Sequence, residues 1–254
     1  MTGVVTADTA NIGIAALNTG GTSAWYIQDG NLRLSGICVV GSESTMARMQ
    51  NGNAYTVTGS VSENFDVTRI QFVSSVVDYL PALTPPTPVT LWTSTFGPTV
   101  GNGTPAAEQW EGMLVTFNNV TVTDIYPVFS DITEFEVDDG TGPVLVRRDG
   151  RNNYSNVPGD TLVGKTILKQ GDQISSLTGV MYYSFNRYKV VPRKDADFGT
   201  VTDLENPVET ILPASYGISN NYPNPFNPVT RLNVTLPQAS HLEVKVYNLL
   251  GQSV

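Results

Sequence analysis

Apolar and polar positions alternate with a period of two where the chain is most regular. Leu232, Val234 and Leu236 alternate with Arg231, Asn233 and Thr235, and Leu242, Val244 and Val246 repeat the pattern before Leu249-Leu250-Gly251. In an extended strand successive side chains point to opposite faces, so each run has one apolar and one polar face. The two runs are read as a strand pair. Further upstream, strand-like runs such as Ile37-Cys38-Val39-Val40 are punctuated by glycine and by Asp-Gly turns. Helical periodicity is hard to find anywhere, and the pattern predicts an all-β chain.

The strand pattern occurs twice. Trp25-Tyr26-Ile27-Gln28-Asp29-Gly30 precedes a strand and then Gly52-Asn53-Ala54-Tyr55-Thr56-Val57-Thr58-Gly59-Ser60-Val61. Phe135-Glu136-Val137-Asp138-Asp139-Gly140 likewise precedes a strand and then Gly171-Asp172-Gln173-Ile174-Ser175-Ser176-Leu177-Thr178-Gly179-Val180. An earlier pair matches too: Gly3-Val4-Val5-Thr6 against Gly112-Met113-Leu114-Val115-Thr116. The second copy carries a longer loop around Arg151-Asn152-Asn153-Tyr154-Ser155, and the first copy's opening strand, close to Met1, is expected to be short. Each copy reads as strand, strand, turn, strand and terminal hairpin. That layout predicts two tandem five-stranded OB-like β-barrel modules followed by a C-terminal β-hairpin segment, with β-sandwich modules as the alternative. The expected division is a first module over 1–80, a Pro/Gly/Thr-rich linker over 81–107, a second module over 108–199, a linker over 200–219 and a terminal segment over 220–254. Pro81-Ala82-Leu83-Thr84-Pro85-Pro86-Thr87-Pro88 is read as a stiff extended spacer.

Composition fits a turn-rich β protein: 254 residues, 23 Gly, 16 Pro, only 15% charged residues and a net charge of −9. No segment approaches the ~18 consecutive apolar residues of a membrane-spanning helix, so membrane insertion is not expected. Met1-Thr2-Gly3-Val4-Val5 runs straight into a strand pattern, with no leader visible. Cys38 is the single cysteine, so no internal disulfide is available, and its apolar run predicts a buried, inert thiol.

Candidate chemistry is sparse. The one histidine, His241, lies on the terminal hairpin, so a Ser-His-Asp or Cys-His arrangement has no base inside the modules and a His/Cys zinc site has no ligand set. An enzyme, a cofactor and a metal are therefore not expected. The acids Glu134, Glu136, Asp138, Asp139 and Asp149 could hold calcium, but a strand with an acidic polar face ending in an Asp-Gly turn is the favoured reading. Binding carries more weight. The last hairpin of the second copy offers Tyr182, Tyr183, Phe185, Arg187, Tyr188 and Lys189, aromatic planes interleaved with cations, which Arg147, Arg148, Arg193 and Lys194 would widen. Against nucleic acid stands the acidic balance, since phosphate neutralisation needs a basic footprint.

Two resemblances extend this reading. Val57-Thr58-Gly59-Ser60-Val61-Ser62-Glu63, Trp110-Glu111-Gly112-Met113-Leu114-Val115, Gly171-Asp172-Gln173-Ile174 and the run from Leu177 to Pro192 resemble the paired OB-like modules beside the catalytic domain of secreted bacterial endonucleases. The His-, Asp- and Asn-rich nuclease domain of those proteins has no counterpart here. Asn221-Tyr222-Pro223-Asn224-Pro225-Phe226-Asn227-Pro228 with the strand pair after it resembles the opening of the C-terminal sorting domain of type IX secretion. That resemblance implies the type IX machinery as partner, a place outside or on the outer surface of a Bacteroidota-like bacterium, and further strands beyond Val254. Asp8-Thr9-Ala10 and Asp160-Thr161-Leu162 resemble the O-glycosylation acceptor of these bacteria, which makes Thr9 and Thr161 candidate sites. The resulting expectation is a non-catalytic secreted or cell-surface structural or adhesive protein. A fibre subunit assembled head to tail through unpaired strand edges is its sharper form, with surface glycans as possible partners. The alternative is a nucleic-acid- or polysaccharide-binding accessory module.

Overall fold

The computed structural model describes residues 1–12, 22–80, 83–97, 104–127, 134–202, 215–221, 225, 230–237, 243, 245–248 and 251–253. Met1–Leu204 form one compact unit and Glu205–Val254 another.

The first barrel contains β1 (Thr2–Ala7), β2 (Thr22–Gln28), β3 (Gly36–Ser42), β4 (Ala54–Asn64) and β5 (Val67–Asp78). They close in the order β1-β2-β3-β5-β4. Strand β3 runs parallel to β5, and β4 returns antiparallel to β1. A short helix α1 (Glu43–Met46) joins β3 to β4 and buries Met46 in the barrel core.

The second barrel repeats the arrangement. After β6 (Val89–Thr90) and α2 (Pro105–Glu108) come β7 (Leu114–Asp124), β8 (Glu134–Asp138) and β9 (Val144–Arg147). A two-stranded insertion follows, β10 (Tyr154–Ser155) with β11 (Thr166–Ile167), in the loop foreseen as longer. Then β12 (Gln173–Ser184) and β13 (Arg187–Val191) complete the barrel in the order β7-β8-β9-β13-β12, with β12 returning to β7, while β14 (Val201–Thr202) and β6 extend the sheet. Both modules are OB-like closed barrels, and the sandwich alternative is excluded by closure. The repeat read from the sequence falls on equivalent strands: β1 with β7, β2 with β8, β4 with β12. Although β1 has 6 residues against 11 in β7, it closes its barrel. A free edge at β1, on which the barrel-completing fibre contact rested, is therefore not present.

The segment between the modules is not merely a spacer. Phe96 is buried and its ring meets Phe117 (6.0 Å) and Tyr188 (5.9 Å), so part of the 81–107 stretch belongs to the second barrel's core.

The apolar cluster of the second barrel continues onto the outer face of the first, whose interior forms a separate cluster. In β2, Trp25 and Ile27 point into the first barrel, while Ala24 and Tyr26 belong to the cluster built by the second. In β3, Val39 points inward, and Cys38 and Val40 outward in the same way. Alternation that normally leaves one face to solvent here buries both. Backbone polar groups at the seam find partners: Leu114 N–H donates to Gln28 Oε1 (3.0 Å), Leu34 N–H to Gln109 O (2.8 Å), and the buried Arg193 Nη1 to Thr6 O (2.6 Å). Gly36 lies so close to the second barrel that a Cβ there would sit 2.6 Å from Gly112 C and O.

In the second unit β15 (Gly217–Ile218) pairs antiparallel with β16 (Val234–Thr235), and Tyr247 bridges Ser253. Strand β16 thus takes a partner upstream of the proline-rich run, while much of 241–250, its expected partner, lies outside the described residues.

Candidate binding surface

Interior space decides first. Of the six residues expected to form a stacking patch, Tyr182, Tyr183, Tyr188 and Lys189 are buried, and they cannot line an open groove. The reason is packing on both sides of β12 and β13. Tyr183 and Tyr188 meet each other (4.9 Å between ring centres), Tyr183 Oη donates to Asn186 Oδ1 (2.9 Å), and Tyr188 Oη donates to Glu108 Oε2 (2.6 Å). Lys189 Nζ donates to Glu134 Oε1 at 2.7 Å, and Arg147 Nη1 to the same oxygen at 3.0 Å. Burial drives the Lys189 ammonium below its ordinary pKa, and the Glu134 contact opposes that shift. The widening cations are also engaged: Arg147 holds Asp149, Arg148 holds Asp160, and Arg193 forms a buried pair with Asp197 at 2.9 Å. Lys194 is exposed. The basic patch expected around this hairpin does not assemble. Of the six residues, Phe185 is exposed and Arg187 half-buried.

The acids considered for calcium have other tasks. Asp138 Oδ1 accepts from Gly140 N–H (2.7 Å) and Gly142 N–H (3.0 Å), closing the Asp-Gly turn. Asp139 Oδ1 accepts from Thr93 Oγ1 (2.7 Å) and Thr141 Oγ1 (2.6 Å), and these hydrogen bonds hold its carboxyl below the ordinary value despite burial. Among the described residues no three His, Cys, Asp or Glu converge as a metal site.

Thr9 is half-buried in a turn where Asp8 Oδ1 accepts from Ala10 N–H (2.9 Å). Thr161 is exposed in a 3-10 turn over Pro158–Val163, its hydroxyl donating to Pro158 O (3.0 Å). Of the sorting-like run, Asn221 donates through Nδ2 to Thr230 Oγ1 (3.2 Å) and Pro225 is exposed. Tyr222, Pro223, Asn224, Phe226, Asn227 and Pro228 lie outside the described residues, as does His241.

What the structure places outside is a different aromatic set. The β4–β5 and β12–β13 hairpins both close with two-residue turns, Asn64 pairing Val67 and Ser184 pairing Arg187. In each, both turn residues have positive φ: Phe65 at 48° and Asp66 at 61°, Phe185 at 49° and Asn186 at 62°. This is the backbone of a type I′ turn, which matches strand twist and ordinarily takes Asn-Gly. A bulky side chain in the left-handed region is an outlier. Both phenylalanines are nevertheless turned outward, 90% and 84% exposed, at equivalent places in the two barrels. The hairpin bases lean on one segment: Thr68 N–H donates to Glu111 Oε1 (2.9 Å), while Tyr188 reaches Glu108. The signal was present in the sequence once the repeat is carried through, as Asn64-Phe65-Asp66 against Ser184-Phe185-Asn186.

A third outlier stands on β5. Between Gln71 and Ser75 the strand bulges against β4, and Phe72 takes φ 51° while 79% exposed. Gly59 faces the bulge, where a Cβ would come within 2.8 Å of Gln71 O. Beside Phe72 an open cleft of about 310 Å³ separates the ends of β3 and β5, lined by Thr22, Ser42, Thr45, Arg69 and Gln71 over Val40 and Val73. It opens because β3 and β5 pair only at Cys38–Arg69 and Val39–Ile70 and then part. Its two walls lie far apart along the chain, so no local pattern of residues marks it.

A family model described as a domain of unknown function (DUF8508) matches residues 89–203, the stretch from β6 through β14 that carries the second barrel. No curated protein matches the chain. A chain from a solved structure described as "Molecular basis for abrogation of activation of pro-inflammatory cytokines" is similar over 80% of this chain and 92% of its own, at 10% identity and a TM-score of 0.36. The p204 HINb domain is similar over 75% of this chain and 91% of its own, at 10% identity and a TM-score of 0.29.

Proposed function

We propose that the protein is a non-catalytic adhesive module of the bacterial exterior that holds neutral polysaccharide against exposed aromatic turns. The observation carrying this reading is the duplicated placement of Phe65 and Phe185. Each barrel spends an unfavourable backbone conformation to hold one aromatic ring in water, at the same turn. Such strain persists where surrounding structure and use both maintain it. An exposed ring offers a flat apolar plane to the C–H face of a sugar, and Asn64, Asp66, Asn186 and Arg187 beside the two rings can meet hydroxyl groups. A chain of net charge −9 does not attract anionic polymers at long range, which favours uncharged glycans over nucleic acid. Export through the type IX route, read from the Asn221–Pro228 run, would bring the module to such glycans.

The test is sedimentation with insoluble neutral polysaccharides such as cellulose and chitin. Replacing Phe65→Asn or Phe185→Asn should weaken binding about tenfold each, the size of one 1.4 kcal/mol contact, with salt having little effect. Binding that is unchanged in the double variant, or that collapses with salt, would defeat the proposal. The latter outcome would return attention to nucleic acid.

A further inference from the structure

We infer that the cleft between β3 and β5 of the first barrel is a second binding site, selective for a carboxylate-bearing pyranose such as a uronic acid unit. Its choice of ligand class rests on the carbohydrate-binding reading above; its geometry does not. Arg69 stands in the cleft wall with no carboxylate partner among the described residues. Arg48, Arg147, Arg148 and Arg193, by contrast, each hold an acid. The Arg69 side chain donates through Nη2 to Gln71 Oε1 (2.9 Å), which fixes the guanidinium at the cleft wall.

A guanidinium held in place and not neutralised by an acid is complementary to a carboxylate, which it can meet in a charge-assisted contact. Phe72 beside it supplies a plane held out by left-handed backbone, and the Ser42 and Thr45 hydroxyls, 3.0 Å apart, supply partners for ring hydroxyl groups. The cleft volume of about 310 Å³ falls at the small end of ligand pockets and suits one sugar ring. One cation in an acidic molecule favours a single carboxylate over a polyphosphate, whose binding needs several.

The whole chain is titrated with glucuronate and galacturonate, and with glucose as the neutral control, reading amide resonances by NMR. Uronate should saturate with shifts at Ser42–Thr45 and Arg69–Val73, and glucose should not. Arg69→Gln should weaken uronate about tenfold, the loss of one charge-assisted contact. Phe72→Gly should also weaken it while leaving the melting temperature equal or higher, because glycine accepts the φ that phenylalanine resists. That combination separates a binding role from a structural one. Absence of saturable uronate shifts, equal binding of glucose, or tighter binding by a short peptide through its free C-terminal carboxylate would each overturn the site. Variants Phe65→Asn and Phe185→Asn should retain uronate binding. If neutral polysaccharide still adheres while uronate does not bind, only the cleft proposal falls. If uronate binds while adhesion fails, only the aromatic-turn reading falls.

Discussion

A residue in this protein is costly in one of two ways, by backbone strain or by buried charge. Phe65 and Phe185 show the first: positive φ on a bulky residue costs on the order of 1–3 kcal/mol. Asparagine tolerates that region several-fold better, so Phe65→Asn and Phe185→Asn should each stabilise the fold by about 1 kcal/mol. For a chain of this size the gain corresponds to about 2–4 °C in melting temperature, read by calorimetry. A fall in melting temperature would mean that the rings pack in the folded state despite their exposure. Glu134 shows the second cost. Its carboxylate, 1% exposed, receives both Lys189 and Arg147. Glu134→Gln would strip the buried Lys189 of its counter-charge and Arg147 of one of its two, and should cost about 3–5 kcal/mol, measured as a shift in denaturant midpoint without a change in slope.

At the level of elements, the seam between the barrels depends on glycine where backbone meets backbone. Gly36 opens β3 against Gly112, which itself takes φ 72° just before β7. A methyl group at Gly36 has no flexible side chain alone to displace, so Gly36→Ala should destabilise by about 2–3 kcal/mol. Since Ala24, Tyr26, Cys38 and Val40 of the first barrel lie in the same apolar cluster as Met181 and Tyr182 of the second, the loss should appear in one shared unfolding transition. Two separated transitions in the calorimetric trace would show that the barrels unfold independently. The hairpins differ for the same reason. Strand β12 is buried on both faces from Val180 to Ser184, whereas β4 is largely exposed beyond Thr58, leaving β4–β5 as a ribbon that can present Phe65 and Phe72.

The whole unit carries a pH dependence at the seam. Burial pushes the Glu111 carboxyl from 4.5 up to about 8, opposed by the Thr68 N–H and reinforced by Glu108, Glu63 and Asp66. Burial also pushes the neighbouring Cys38 thiol to about 12, with Glu111 adding to it and Arg69 and Tyr26 opposing, which disfavours the thiolate. The folded protein retains the Glu111 proton at pH values where the unfolded chain has lost it. The contribution is fully present below about pH 4.5 and is lost as pH rises through about 8. Melting temperature should therefore decline across that window, with the raised Glu136 carboxyl adding in the same direction. Glu111→Gln should flatten the decline, and an unaltered slope in that variant would exclude Glu111 as its source.

Period-two alternation, glycine punctuation and the internal repeat determined the all-β class, the succession of strands along each module and the number of modules. These are local consequences of strand geometry and turn chemistry, and they survive without knowledge of what packs where. They also placed Cys38 in an apolar run and the longer loop in the second copy. What they did not decide is which polar-looking strand lies inside. The Tyr182–Lys189 run reads as an exposed aromatic and cationic patch because tyrosine and lysine suit either environment, and only docking against the rest of the chain buries it. Equally, the Arg69–Phe72 cleft exists because β3 and β5, distant in sequence, meet for two residue pairs and then diverge. Burial and long-range adjacency are properties of the assembled barrels, so tertiary structure alone exchanged one candidate surface for another.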